Sequence, residues 1–374
     1  MSAGRERVGS IDGVRGVAVI VMIVVHVLAF YADYGTQVDS ASFVIMDIGK
    51  LTAVFILCMG VSSGFSRRRA PRDLARRGIQ LLAYGYGLDV LKFIVPMLVF
   101  RNLPANLVTD FGWKVGAEQT FWNFLLLGDI LHLVGLSLLL VAGLRAVGAR
   151  PVHLFALAAV IAGVAPLVWG VRGGGPVVSY AADLLFSEGY TVFFPVFPWA
   201  AYVLVGFALG DLLHARATAP AAAFARWARI GVALMAVGIA LGLAYPPAWK
   251  GLDFYRTGPA GVVAVVGFSL VSFQLAEWLW PLAPRVLQAV WTYCSRRVTR
   301  LYVISWVAIC WLMGWVGFMT QGDPRVLTGL IALVFAITLA ADAALDWISA
   351  RAGRARRAAP PAPGSPATPA NLAG

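Results

Sequence analysis

Charge is scarce in this chain. Asp, Glu, Lys and Arg make up 13% of its 374 residues, roughly half the share found in soluble domains. That shortage excludes a soluble globular domain, whose surface is covered largely by such groups. Acids are the scarcer sign: 18 Asp and Glu stand against 30 Lys and Arg, a formal net charge of +12. Cysteine, with three residues, and histidine, with four, are nearly absent. Cys58, Cys294 and Cys310 lie in or beside apolar segments, at spacings unlike a disulfide framework or a metal site. A cysteine-stapled secreted fold and a zinc centre are therefore excluded, and the three thiols read as packing residues.

Apolar residues fill the chain instead. They make up 60% of it, and the mean hydropathy is +0.79. Stretches of 18 or more predominantly apolar residues are long enough to span a bilayer as helices, and ten are present: Val14 to Tyr31, Phe43 to Gly64, Ile79 to Phe100, Phe121 to Leu144, Val152 to Trp169, Val192 to Leu213, Ile230 to Tyr245, Gly258 to Trp280, Val298 to Phe318 and Val326 to Ile348. The seventh is short and glycine-rich. The fold class this predicts is all-α, a polytopic membrane helix bundle forming one integral membrane domain over residues 1–350. The first segment is expected to stay as a membrane helix, because Phe30, Tyr31 and Asp33 occupy the place of a small-residue cleavage site. Residues 351–374, proline-rich after Arg357, are expected to form a disordered tail.

The cations are unevenly placed. With the N-terminus in the cytoplasm, the cytoplasmic loops would carry Arg67 to Arg77, Arg145 and Arg150, Arg216 to Arg229, Arg285 to Arg300 and Arg351 to Arg357. The opposite side would carry only Arg101, Lys114, Arg172, Lys250, Arg256 and Arg325. The positive-inside rule therefore predicts both termini in the cytoplasm. The positive charge needs no nucleic-acid partner, since anionic lipid headgroups suffice.

Ionisable residues inside the spans are costly and are functional candidates by default. Arg15 and His26 are eleven positions apart in the first span, about three helical turns, so they share one face with His26 about 16 Å deeper. Asp47 and Lys50, Asp89 and Lys92, and Asp129 and His132 are each three residues apart, which brings each pair together on a helix. So much charge in four helices implies a shared polar, wet interior. A carboxylate one turn from an imidazole, as Asp129 is from His132, can set its tautomer and raise its basicity.

These residues carry a resemblance. Ser10-Ile-Asp12-Gly-Val-Arg15-Gly16, then an apolar run and His26, resembles the opening helix of the transmembrane acyltransferase superfamily, whose signature is an arginine, ten residues and a histidine. Val54 to Arg69 is similar to that family's second helix and its arginine-rich cytoplasmic exit. Gly128-Asp129-Ile-Leu-His132-Leu-Val-Gly135 and Phe194-Pro195-Val-Phe-Pro198-Trp199 through Gly210 resemble the branch related to heparan-α-glucosaminide N-acetyltransferase. The likeness covers Arg7 to Gly210 well and the remainder weakly. The Arg15 to His26 spacing itself is closer to the bacterial acyltransferase family 3 pattern.

The resemblance implies transfer of an acyl group, usually acetyl from cytoplasmic acetyl-CoA, to a hydroxyl or amine of a sugar, glycolipid or small metabolite, by an enzyme of the cell membrane, here a bacterial plasma membrane. Membrane lipids and a second copy of the chain are the other partners this reading admits. His26 would act as general base or accept the acyl group transiently. Arg15 would hold a donor phosphate or the thioester oxygen, with Asp12 orienting it. Arg69 and Arg72 would meet the coenzyme A phosphates, and Asp129 with His132 would join His26 in catalysis. A secondary transporter or flippase with a proton-coupled polar path is the rival reading, although the two halves of the chain show no repeat.

Overall fold

The computed structural model describes residues 8–39, 42, 44–45, 52–215, 220–245, 247–251 and 253–358. Among these the chain is helical, with isolated β-bridges such as Gly128 to Val192 and no strand. The longer helices are α1 (Gly9–Tyr31), α2 (Thr52–Phe65), α3 (Pro71–Asp89, running on as a π-helix over Val90–Phe100), α4 (Ile130–Ala146), α5 (Pro151–Val168), α6 (Val196–Ala215), α7 (Pro220–Ala244), α8 (Pro259–Leu279), α9 (Arg285–Arg296), α10 (Val298–Val316) and α11 (Pro324–Ala358). Proline opens α3, α5, α7, α8 and α11, a position where its missing N–H costs nothing and its fixed φ suits the first turn.

Among the described residues, eight helices are long and apolar enough to cross a membrane: α1, α3 with its π continuation, α5, α6, α7, α8, α10 and α11. The two other expected spans correspond to shorter apolar helices, α2 and α4. The described part of the second starts at Thr52. The fourth, expected from Phe121 to Leu144, is broken: a helix over Glu118–Leu125 ends, the backbone of Gly128 pairs with Thr191 and Phe193, and a new helix starts after Asp129. The apolar run hid this break because Gly128 and Asp129 are embedded in it, while the cap is made by two polar side chains, Asp129 and His132. Segment 285–296, expected to be a loop, is the amphipathic helix α9, which packs across α1. Helix α11 continues to Ala358, into the segment assigned to the tail. Its Ala and Arg residues are strong helix formers, and residues 359–374 lie outside the described residues.

Helices α2 and α6 touch backbone to backbone. Gly60 and Gly64 face Gly206 and Gly210, and a methyl group added at Gly206 would collide with the carbonyl of Leu57. Paired small-xxx-small motifs of this kind let membrane helices approach closely without a hydrophobic driving force. Around this seam lies one core cluster, containing Trp199, Tyr202 and Phe207 of α6. A second cluster joins α1 to α10 and α11 through Ile23, Val27, Ile309, Met313 and Val334. The cavity described next lies where these two units meet.

Candidate active site

Helix α1 carries two stations along its length. The first is Arg15, which lines a pocket of about 420 Å³ with Arg77 of α3, Arg296 at the end of α9, and Arg297, Thr299 and Arg300 around the start of α10. Arg297 and Arg300 are held by Asp342 and Asp346 of α11, with Arg297 Nη2 2.7 Å and Arg300 Nη1 2.8 Å from the Asp346 carboxylate. Five guanidinium groups against two carboxylates leave the pocket strongly positive. The Nε of Arg15 is buried and makes no hydrogen bond among the described residues.

The second station is His26. It lines a cavity of about 950 Å³ that follows α1 from Gly13, beside Trp280 and Trp291, past Val17, Val21 and Val25 to Phe30. The far end opens among Gln37, Asp110, Tyr190 and Tyr255. Its walls are largely apolar, and Lys92, Asp129 and Tyr302 face it beside His26. The His26 imidazole stacks on the indole of Trp306 at 4.2 Å between ring centroids. Its Nδ1 is buried without a hydrogen bond among the described residues, which leaves it available to a ligand in the cavity.

Lys92 sits where α3 passes into its wider π-helical turns, and it is 2% exposed. Its ammonium lies 3.1 Å from Asp89 and 3.4 Å from Asp129. Asp129 is fixed from several directions. It caps α4 by accepting from the Leu131 N–H at 2.9 Å, and its other oxygen accepts from the Tyr302 hydroxyl at 3.1 Å. At the far mouth, buried Arg256 lies under the Tyr190 ring at 5.0 Å and donates to the Gly189 carbonyl. Burial, aided by Asp253, pushes the Tyr255 phenol up to about 12, so it stays a neutral hydroxyl.

The expected site residues divide. His26 and Asp129 share the cavity. His132 does not line it: its ring packs against Gly85 and edge-on to Tyr86 at 4.4 Å. The backbone N–H of Asp129 donates to His132 Nδ1 at 3.2 Å, so Nδ1 is an acceptor and the ring proton is assigned to Nε2. The backbone N–H of Asp129, rather than its carboxylate, sets the tautomer, because the break before α4 turns the pair into a reciprocal helix cap. Asp12 accepts from Ser295 at 2.6 Å, tying α1 to α9. Arg69 pairs with Asp211, which also takes Arg145 at 3.0 Å. Arg72 is exposed at the start of α3. Neither Arg69 nor Arg72 lines either cavity; the arginine of that cluster that reaches Arg15 is Arg77. Asp47 and Lys50 lie outside the described residues.

Sequence reasoning missed Tyr302 and Trp306, and counted Arg296, Arg297 and Arg300 only as topology. The arginines carried a signal in their crowding at the mouth of a span. The two aromatics carried none beyond the one-turn spacing of any helix face.

Residues 7–240 match the catalytic domain of heparan-alpha-glucosaminide N-acetyltransferase. The chain belongs to that family. Membership carries a general activity, acetyl transfer by a multi-pass membrane enzyme. The match takes in Arg15, His26, Arg77, Lys92, Asp129 and His132, while the arginines from α9 and α10, with Tyr302 and Trp306, lie beyond it. No curated protein matches the chain.

Proposed function

We propose that this protein moves an acetyl or other short acyl group from a coenzyme A thioester to a hydroxyl or amine, and that the two substrates enter from opposite ends of α1. The observation that carries this reading is the adjacency of the two stations: a strongly basic pocket at Arg15 and an imidazole about 16 Å along the same helix, with a continuous apolar groove from Gly13 to His26 between them. The phosphates of the donor suit the arginine pocket, where planar guanidinium forks bind phosphate oxygens in pairs. The uncharged pantetheine arm suits the groove, and the thioester then lies beside His26. The arginine distribution of the loops favours a cytoplasmic location for this end.

The acceptor enters at the other mouth, where Tyr190, Phe193 and Tyr255 offer aromatic faces and Asp110 a carboxylate. Such a rim suits a sugar, a glycolipid headgroup or a small metabolite. His26 takes the proton from the acceptor as its oxygen or nitrogen attacks the thioester carbon. The carbon–sulfur bond then breaks, and the leaving thiolate takes the same proton back from the imidazolium. Transient acylation of His26 is the two-step version of this chemistry.

The test is purified protein in detergent with radiolabelled acetyl-CoA, scored by coenzyme A release with and without sugar, glycolipid and small-metabolite acceptors. Acceptor-dependent release is expected. Failure to bind or turn over any acyl-CoA overturns the reading and favours a transporter with a proton-coupled polar path.

A further inference from the structure

We propose that Lys92 is a catalytic residue of this site: its ammonium donates to the carbonyl oxygen of the acyl group and stabilises the oxyanion formed when the acceptor attacks. The inference rests on the acyl-transfer reading above and assigns a role to a cation which that reading leaves unused.

Three features of the geometry support it. An ammonium has three N–H donors; one hydrogen-bonds Asp129 at 3.4 Å, while Asp89 lies in ion-pair contact at 3.1 Å without accepting a hydrogen bond. The ammonium otherwise faces the Phe93 and Trp306 rings, each 5.1 Å away, and Lys92 lines the cavity, so a donor remains to meet a ligand oxygen. Secondly, the ammonium lies 5.1 Å from the ring centroid of Trp306, the same indole on which His26 stacks at 4.2 Å. The Lys92 ammonium and the His26 ring thus share one indole and one cavity, so a carbonyl oxygen at Lys92 and an acceptor proton at His26 belong to the same site. Thirdly, the ammonium is held in place. Asp129 is pinned by Leu131 N–H and by Tyr302, and Asp89 is 0% exposed. A donor fixed beforehand in a dry site is the arrangement that stabilises developing negative charge without reorganisation during reaction.

The electron count closes. The acceptor gives its proton to His26 and its lone pair to the carbonyl carbon. The carbonyl π pair moves to oxygen, where the Lys92 N–H meets it. On collapse that pair re-forms the double bond, the carbon–sulfur bond breaks, and the thiolate is protonated by His26. Lys92 keeps its own proton throughout.

A purely structural Lys92 would serve only to balance two buried carboxylates. Lys92→Gln combined with Asp89→Asn removes one charge of each sign and leaves the net charge of the cluster unchanged, so it separates the roles. Under the catalytic role kcat falls by about 100-fold or more, while KM for the acyl donor stays within about 3-fold, because the donor's phosphates are held at the distant arginine pocket. A double variant that keeps more than a tenth of wild-type kcat overturns the proposal. A second measurement uses wild-type protein and does not depend on a variant that folds. The ketone analogue of acetyl-CoA, with a methylene between sulfur and a ¹³C-labelled carbonyl, cannot transfer its acyl group. Its carbonyl stretch should fall to lower frequency on binding, and an unshifted stretch overturns the proposal. Wild-type protein inert towards all acyl-CoA would remove the acyl-transfer reading itself, whereas an active wild type with an active double variant removes only Lys92.

Discussion

His26 and Trp306 lie ring against ring, 4.2 Å between centroids, so the histidine of the first helix stands on a surface supplied by the tenth. The indole also carries the Phe30 edge at 5.1 Å and the Lys92 ammonium at 5.1 Å. It therefore packs the imidazole within the cavity that both residues line, and it does so from outside the segment that identifies the family.

His26→Ala should lower acceptor-dependent coenzyme A release by at least about 100-fold, the low end for loss of a general base. It should lower stability by only about 1 kcal/mol, the worth of one aromatic pair. Trp306→Leu should also lose turnover, and Trp306→Phe should recover much of it because the ring face is kept. Turnover and melting temperature measured on the same preparations check all three. Wild-type release by His26→Ala would refute the assignment.

Arg15→Lys should weaken binding of acyl-CoA by about tenfold, equivalent to about 1.4 kcal/mol, although the charge is preserved. Arg297 and Arg300 are engaged by Asp342 and Asp346, which leaves Arg15 as a guanidinium with a buried Nε still to be satisfied. Calorimetry of donor binding is the measurement. An unchanged dissociation constant would leave Arg15 a structural residue.

Gly85→Ala should destabilise the protein by about 1–3 kcal/mol through overpacking, because the added methyl would lie 2.6 Å from His132 Cε1. Shortening His132 to Ala in the same chain should remove much of that penalty, a non-additivity expected of residues in contact. Thermal unfolding of the two single variants and the double variant gives the coupling. Additive effects would mean that the ring is not packed on this glycine.

Asp129→Asn should keep the cap on α4, since asparagine serves that position as well as aspartate. It should still cost about 1–3 kcal/mol by weakening a buried charged hydrogen bond. Asp89 remains at 3.1 Å to pair with Lys92, so the fold should survive while the single-turnover rate falls further than stability alone explains. A rate that tracks the melting temperature would make Asp129 purely structural.

The long apolar runs were legible because bilayer length and hydropathy leave few alternatives, and the Arg15 to His26 register followed from helix geometry alone. The break at Asp129 was not legible, because it depends on Gly128 pairing with Thr191 and Phe193, a contact across distant sequence. The same applies to Arg69, which looked free in sequence and is claimed by Asp211. Tyr302 and Trp306 carried no local mark of function, since aromatic residues are ordinary in a span and only folding sets them beside His26.

The interval between Arg15 and His26 makes α1 a ruler. Its backbone hydrogen bonds fix each residue at 1.5 Å and 100°, so the distance from the arginine pocket to the imidazole cannot stretch to suit a ligand. A thioester on a stub lacking the phosphate-bearing portion would reach His26 without an anchor, and a longer arm would overshoot it. One residue inserted between Val17 and Val25 would turn His26 by more than a quarter of a revolution, out of the cavity and into a neighbouring helix or lipid. Under the proposed acyl transfer, selectivity for the length of the donor would be encoded in the count of residues in one helix, with the valines between the two stations as its graduations.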